Sequence, residues 1–160
     1  LEMTLDDLSS FFHESSDKKE KHIASMIQPL LDVGLGYLRA GQASSTLSGG
    51  EAQRIKLASF LAKGNNQAPT LFLFDEPSTG LHYYDIEKLL QSFQALIANG
   101  HSIVVIEHNL DIIKTADHVI DIGPEGGEGG GKIMFTGTPE DLVTRTDNYT
   151  GIALTEKGLN

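Results

Sequence analysis

The stretch Thr70-Leu71-Phe72-Leu73-Phe74-Asp75-Glu76-Pro77-Ser78-Thr79-Gly80-Leu81-His82 decides how this chain is read. An unbroken apolar run, Leu71 to Phe74, ends in two acids and is bracketed by Pro69 and Pro77. A run this short between prolines reads as a β-strand buried on both faces, the pattern of a parallel sheet covered by helices. Open α/β sheets place their ligands beyond the carboxyl ends of their strands, and Asp75 and Glu76 fall there.

Working outward, residues 85–99 carry Ile86, Leu89, Leu90, Phe93, Leu96 and Ile97 at helical spacing, with Gly100 as the stop. Ile103-Val104-Val105-Ile106 then reads as a second buried strand ending in Glu107-His108. Strand, amphipathic helix, strand is a βαβ unit, so the two strands should run parallel with a right-handed crossover. That arrangement predicts Asp75, Glu76 and His108 at one edge of the sheet.

Upstream stands Leu47-Ser48-Gly49-Gly50-Glu51. Ser48 and Glu51 have capping-box spacing, with Ser48 as N-cap. Two glycines in the first turn leave backbone N–H groups uncovered at the positive end of a helix, an anion site in principle. A capped helix with a flexible entry is the plainer reading of those residues alone. Gly64 should end this helix, and residues 65–69 read as a polar loop.

The lead-in, residues 1–46, predicts two helices. Thr4 caps the first, with Leu5, Leu8, Phe11 and Phe12 on one face. The second, residues 17–33, has the stripe Ile23, Met26, Ile27, Leu30 and Leu31, and Pro29 should kink or divide it. Past His108, Asn109 caps a short helix, and residues 118–122 and 132–136 read as two more strands. Thr138 and Pro139 open a last helix. The domain reading is a lead-in (1–46), a central part (47–143) and a polar tail (144–160) that frays.

Gly126 through Lys132 fits G-x-x-x-x-G-K, the core of a phosphate-binding P-loop. Ile133 follows where Ser or Thr should bind Mg²⁺, a strand follows where a helix should, and Glu125 and Glu128 would face the phosphates. The segment reads as a hairpin turn, and the chain has no P-loop.

The 160 residues suit one domain. With 39% hydrophobic and 21% charged residues, a packed core is expected. The absence of Cys excludes disulfides and thiolate zinc sites within these residues. A net charge of −10 argues against nucleic-acid binding by this piece alone. No secretion signal or membrane-length apolar run is seen, and the Leu-Glu-Met-Thr start suggests an internal segment of a longer chain.

In this order and spacing, LSGGE, LFLFDEP and a His closing the next strand resemble the second half of an ATP-binding cassette (ABC) ATPase. Four stretches narrow the resemblance: TLSGGEAQR from Thr46, DEPSTGLH from Asp75, VVIEHNLD from Val104 and DIGPEGG from Asp121. Together with the DVGLGYLRAGQ lead-in, they are similar to the C-terminal cassette of bacterial UvrABC excinuclease A subunits. That resemblance implies an α/β fold of the P-loop NTPase class, with parallel strands, flanking helices, a C-terminal β-hairpin and the P-loop strand missing.

It also implies roles. Glu76 would be the general base that orients the attacking water, and His108 would bond the γ-phosphate or that water. Asp75 would hold Mg²⁺. Ser48, Gly49, Gly50 and Glu51 would form the signature motif, contacting ATP bound to another cassette's P-loop. Ser78, Thr79, Gly80, Leu81 and His82 would be the D-loop between opposed sites, ending in His where many cassettes have Asp. The family implies a cytoplasmic, ATP- and Mg²⁺-dependent hydrolase of nucleotide excision repair and the SOS response. Its implied partners are a second copy, the B component of the excinuclease and damaged double-stranded DNA.

The family's P-loop, glutamine loop and zinc modules are not in this sequence. The 160 residues alone are therefore expected to bind DNA weakly or not at all and to need an upstream P-loop half. The strand at 103–106 would then have an unpaired edge. Two other readings remain: a membrane transporter's cassette half, and a non-catalytic interaction module. Cys-rich zinc modules upstream would favour repair over transport, and a defined partner unrelated to ATP hydrolysis would favour the module.

Overall fold

The computed structural model describes residues 1–15, 17–63, 68–123 and 130–159. Two compact units divide it, Leu1–Glu107 and His108–Asn160.

The first unit opens with α1 (Leu5–His13) and α2 (Lys18–Asp32), packed on each other. Thr4 caps α1 as its sequence predicts, its Oγ1 accepting the Asp7 N–H at 3.1 Å. The buried side of α1 runs through Leu5 and Ser9, and Phe11 is exposed, contrary to the expected stripe. Likewise α2 buries Ala24 and Ile27 while Met26 and Ile23 face out. Each buried face includes a small residue, Ser9 or Ala24, that a count of large apolar residues passes over. Pro29 does not divide α2, which is continuous across it. Gly34 at φ +75 lets the Gly34 and Leu35 N–H groups close back on Leu31 and Leu30, which ends the helix.

After a 3-10 turn at Ser44–Thr46 come α3 (Gly49–Leu61), β1 (Leu71–Asp75), α4 (Tyr83–Ala98) and β2 (Ser102–Ile106). The two strands pair in parallel, with Leu73 beside Val104 and Asp75 beside Ile106. The α/β reading holds. One face of this sheet is covered by aromatics. Phe72 meets Phe60 edge-on at 4.7 Å, Phe74 meets Phe93 at 4.9 Å, and the buried His101 ring packs against Phe60 and Phe72. Leu89 and Leu96 of α4 are fully buried.

The expectation that both faces are buried is wrong. Leu71, Leu73, Val104 and Ile106 are 60%, 72%, 51% and 63% exposed. Alternation along a strand puts them all on one face. An apolar residue there is as apolar as one in the core, so composition alone hid the difference. Among the described residues β2 has no second strand partner, so the predicted unpaired edge is present.

The second unit holds α5 (Leu110–Ile113), β3 (Val119–Gly123), β4 (Lys132–Gly137), α6 (Pro139–Leu142) and α7 (Tyr149–Glu156). β3 and β4 pair antiparallel, with a register shift at Asp121/Ile122. Lys132 thus opens a strand, as the hairpin reading of the false P-loop requires. Most of the turn itself, residues 124–129, lies outside the described residues, as do Gly64 and residues 65–67 of the expected loop. The tail does not simply fray: Asn148 is buried and caps α7, and Leu154 is fully buried. No helix among the described residues is long and apolar enough to cross a membrane.

Candidate functional site

The entry of α3 is built as its sequence predicts. Ser48 is extended (φ −68°, ψ 163°), and its Oγ accepts the Glu51 N–H at 3.2 Å. Glu51 Oε2 returns the bond by accepting the Ser48 N–H at 2.7 Å. Both halves of the capping box are therefore present. Ser48 and Gly49 are exposed, and nothing stands where a Gly49 Cβ would project.

The second oxygen of Glu51 is also engaged. Its Oε1 accepts the Tyr37 hydroxyl proton at 2.7 Å, and the Tyr37 oxygen accepts from Arg54 Nη2 at 3.2 Å. Arg54 is fully buried, and its Nη1 donates to the Pro77 carbonyl. Its Nε has no hydrogen-bond partner among the described residues. Burial holds the Arg54 guanidinium below its ordinary range, against the pull of Tyr37 and Glu51. Burial and the bond to Glu51 push the Tyr37 phenol up. For Glu51 burial acts upward, but hydrogen bonds from the Ser48 backbone, Tyr37 and the Ser48 hydroxyl outweigh it, and its pKa is lowered.

This helix end is also tied to the acidic strand. Gln53 Oε1 accepts the Asp75 N–H at 3.2 Å. A Cβ on Gly50 would stand 3.4 Å from the Glu76 carbonyl and 3.5 Å from that of Pro77. Helix α3 therefore enters directly against the corner where β1 ends.

That corner is strained. Glu76 has φ +45°, the only described residue besides glycine at positive φ. The left-handed region is costly for a side chain and is disfavoured again by the proline that follows. Three bonds hold it. The Glu76 N–H donates to the Ile106 carbonyl at 2.9 Å, the Thr79 N–H to the Glu76 carbonyl at 3.1 Å, and the Ser78 N–H to Glu107 Oε1 at 2.9 Å. The result is a sharp turn that leaves Asp75 and Glu76 exposed and Pro77 and Ser78 buried. Thr79, Gly80, Leu81 and His82 continue as a surface turn, and His82 precedes α4 without a side-chain cap.

The structure thus gathers Gly50, Gln53, Arg54 and the Asp75–Ser78 turn. His108 is exposed and opens the second unit, directly after Glu107 in the chain. Sequence reading missed Tyr37, Gln53, Arg54 and Glu107. The i, i+3 spacing of Glu51 and Arg54 was the available signal, and it reads as a surface ion pair until Arg54 is seen to be buried.

A comparison with known proteins now bears on this arrangement. UvrABC system protein A of Agrobacterium fabrum is 53% identical over 156 residues, 98% of this chain and 15% of that protein. The Micrococcus luteus and Staphylococcus aureus (strain COL) proteins of the same name are 50% and 52% identical over 98% of the chain. The solved structure of UvrA2 from Deinococcus radiodurans superposes with a TM-score of 0.77 at 37% identity. It covers 98% of this chain and 18% of that one. The chain is homologous to one segment of UvrABC system protein A.

It spans about 15% of the length of those UvrA relatives. A bacterial Atm1-family ABC exporter with ATP bound matches at a TM-score of 0.52 and 22% identity, over 100% of this chain and 27% of the exporter. That likeness shows the ABC ATPase fold alone. No family model matches the chain.

The UvrA relationship raises the question of Mg²⁺. Among the described residues no cluster of three or more His, Cys, Asp or Glu could hold a metal by itself. Mg²⁺ commonly uses one or two carboxylates, with waters and substrate phosphates completing its shell. The exposed Asp75 carboxylate fits that mode and does not fit a self-sufficient metal cage.

Proposed function

We propose that this chain is part of the ATP-hydrolysing cassette of a UvrA-type DNA-repair protein. In that reading Ser48, Gly49, Gly50 and Glu51 are the signature motif that meets ATP held on another cassette's P-loop. Uncovered N–H groups at a capped helix N-terminus are suited to phosphate oxygens. Asp75 would hold Mg²⁺, which would supply charge neutralisation at the transferring phosphoryl group. Glu76 accepts a proton from, and orients, the attacking water. His108 donates to the γ-phosphate or to that water. Ser78 to His82 form the D-loop between two opposed sites.

The observation that carries this reading is the joint between α3 and the acidic corner. Gln53, Arg54 and Gly50 meet the backbone of Asp75, Glu76 and Pro77, so the entry of α3 and the carboxylate corner are joined by direct contacts, which supports reading them together. The whole assembly would act as a homodimer with the B component of the excinuclease on damaged double-stranded DNA. The P-loop half of the cassette would come from residues outside these 160 and would cover the open face of the β1–β2 sheet. UvrA names the relatives at about half identity, while the exporter resembles the chain only in fold.

The test uses the complete ATPase that carries this chain. Glu76→Gln should retain ATP binding and lower turnover by about 10²–10⁴-fold, the usual worth of a positioned base. Turnover within twofold of wild type would remove Glu76 from that role. The 160 residues alone should show no ATP turnover above background, and robust hydrolysis would overturn the division of the site.

A further inference from the structure

One side chain outside the residues assigned above stands where the two halves of the site meet. The Tyr37 hydroxyl donates to Glu51 Oε1 at 2.7 Å and accepts from Arg54 Nη2 at 3.2 Å. Glu51 is the carboxylate that closes the Ser48 cap. Arg54 is the guanidinium that holds the Pro77 carbonyl at the strained corner. One phenol oxygen therefore touches both the group that sets the signature edge and the group that sets the carboxylate corner.

Two features make this hydroxyl more than an added bond. Arg54 is fully buried and already lacks a partner at Nε, so the Tyr37 oxygen is one of the few acceptors it has. Tyr37 is 43% exposed, so without its hydroxyl water can reach the Arg54 guanidinium, which keeps a partner but loses its fixed geometry relative to Glu51. Glu51 would keep the Ser48 N–H but lose the donor that fixes its second oxygen, and its carboxylate would be free to rotate. Both changes propagate to positions where the proposed chemistry tolerates little displacement.

We infer that Tyr37 is a positioning residue that couples the signature edge, Ser48 to Gly50, to the acid corner, Asp75 to Ser78, through Glu51 and Arg54. This rests on the reading of the site as part of an ABC ATPase. Nucleotide contact at the signature edge and water activation at the corner serve different nucleotides in that reading. A shared hydroxyl makes the state of one felt at the other.

The experiment compares wild type, Tyr37→Phe, Glu51→Gln, the double variant and Glu76→Gln in the complete ATPase. The phenylalanine keeps the ring and removes only the hydroxyl. Tyr37→Phe is expected to lower kcat for ATP by roughly fivefold, the order of one hydrogen bond, with KM changed less than twofold and thermal midpoint essentially retained. In the Glu51→Gln background the same substitution should cost less than in wild type, because the charge-assisted acceptor is gone while the Arg54 bond remains. An unchanged kcat in Tyr37→Phe overturns the inference. So does a fall in kcat that is fully additive with Glu51→Gln or that tracks a lowered thermal midpoint, since a merely structural role predicts those. Glu76→Gln separates the two levels: if it leaves turnover intact, the ATPase reading itself fails. If it abolishes turnover while Tyr37→Phe does nothing, only the coupling fails.

Discussion

The two units hold themselves together by different means. In the first, the covered face of the β1–β2 sheet is an aromatic cluster, Phe60, Phe72, Phe74, Phe93 and His101, backed by fully buried leucines of α4. In the second, polar side-chain ties join elements around the fully buried Leu142 and Leu154. Asp121 accepts from Asn148 Nδ2 at 2.6 Å and from Thr150 Oγ1 at 3.2 Å, and Asp111 pairs with both Lys114 and Lys157. Yet both leave an apolar strand face exposed: Leu71, Leu73, Val104 and Ile106 in one, Ile120, Ile122 and Ile133 in the other. Apolar burial is insensitive to pH and falls away with lost volume. Ion pairs depend on charge state and fail when it changes. The contrast therefore predicts different ways to break each unit.

The largest effect belongs to the aromatic face. Phe74→Ala should destabilise the first unit by about 3–5 kcal/mol, the cost of deleting a buried ring together with the cavity it leaves. Urea unfolding of the 160-residue chain would read it. A cost below 1 kcal/mol would mean that the aromatic cluster does not carry this unit. In the second unit the largest polar effect should come from Asn148→Ala. It removes the Oδ1 that accepts the Gly151 N–H at the start of α7 and the amide that reaches Asp121. A lost cap and a lost charge-assisted bond together cost about 1–3 kcal/mol.

These contrasts also explain how much was legible in the sequence. Local pairings were readable because their spacing is short. The Ser48–Glu51 box, the Thr4, Asn109 and Thr138 caps and the parallel pairing of β1 with β2 are all as the residues imply. The false P-loop was readable for the same reason. Features set by distant partners were not. Arg54 looks like a surface residue of a helix, and only its contacts with Pro77 and Tyr37 reveal it as buried. The helix α7 is hidden in a polar stretch because its cap residue is fixed by Asp121, far back in the chain. The strain at Glu76 is a property of the corner and has no sequence signature beyond the following proline. The open faces were invisible in principle, since a valine waiting for a cover reads the same as one already covered.

Acid should separate the two units next. The lysines that bond Asp111, Lys114 first and then Lys157, hold its carboxyl below the ordinary range against the opposing effect of burial. A lowered folded-state pKa gives stability that is fully present above the unfolded value, about 3.9, and is lost as pH falls through the folded value. Hydrogen-exchange protection in α5 and α7, taken relative to the intrinsic rate at each pH, should therefore fall below about pH 4, while β1, β2 and α4 stay protected. Asp111→Asn should remove the part of that acid response that comes from this carboxylate. Both lysines are more than a third exposed, so salt should weaken the effect. Equal acid sensitivity in both units, unchanged by Asp111→Asn, would show that these pairs do not set it.

The smallest expected effect is the most informative about the sheet. Leu73 lies on the open face, beside Val104 in the neighbouring strand and opposite in direction to Phe74. If that face meets only water in the isolated chain, Leu73→Lys removes no packing, and its stability cost should stay within about 0.5 kcal/mol. The same substitution should reduce self-association in sedimentation, because an exposed apolar patch next to an unpaired strand edge favours contact between copies. The pair Phe74→Ala and Leu73→Lys, adjacent in sequence, then becomes a ruler for the two faces. A large cost for Leu73→Lys in the isolated chain would mean that the open face is already covered there, by another copy. In the complete ATPase the expectation reverses: with the rest of the cassette seated on this face, burying a lysine charge should cost several kcal/mol. A Leu73→Lys variant that is neutral in both settings would leave the face uncovered in the full protein and remove the proposed P-loop half as its occupant.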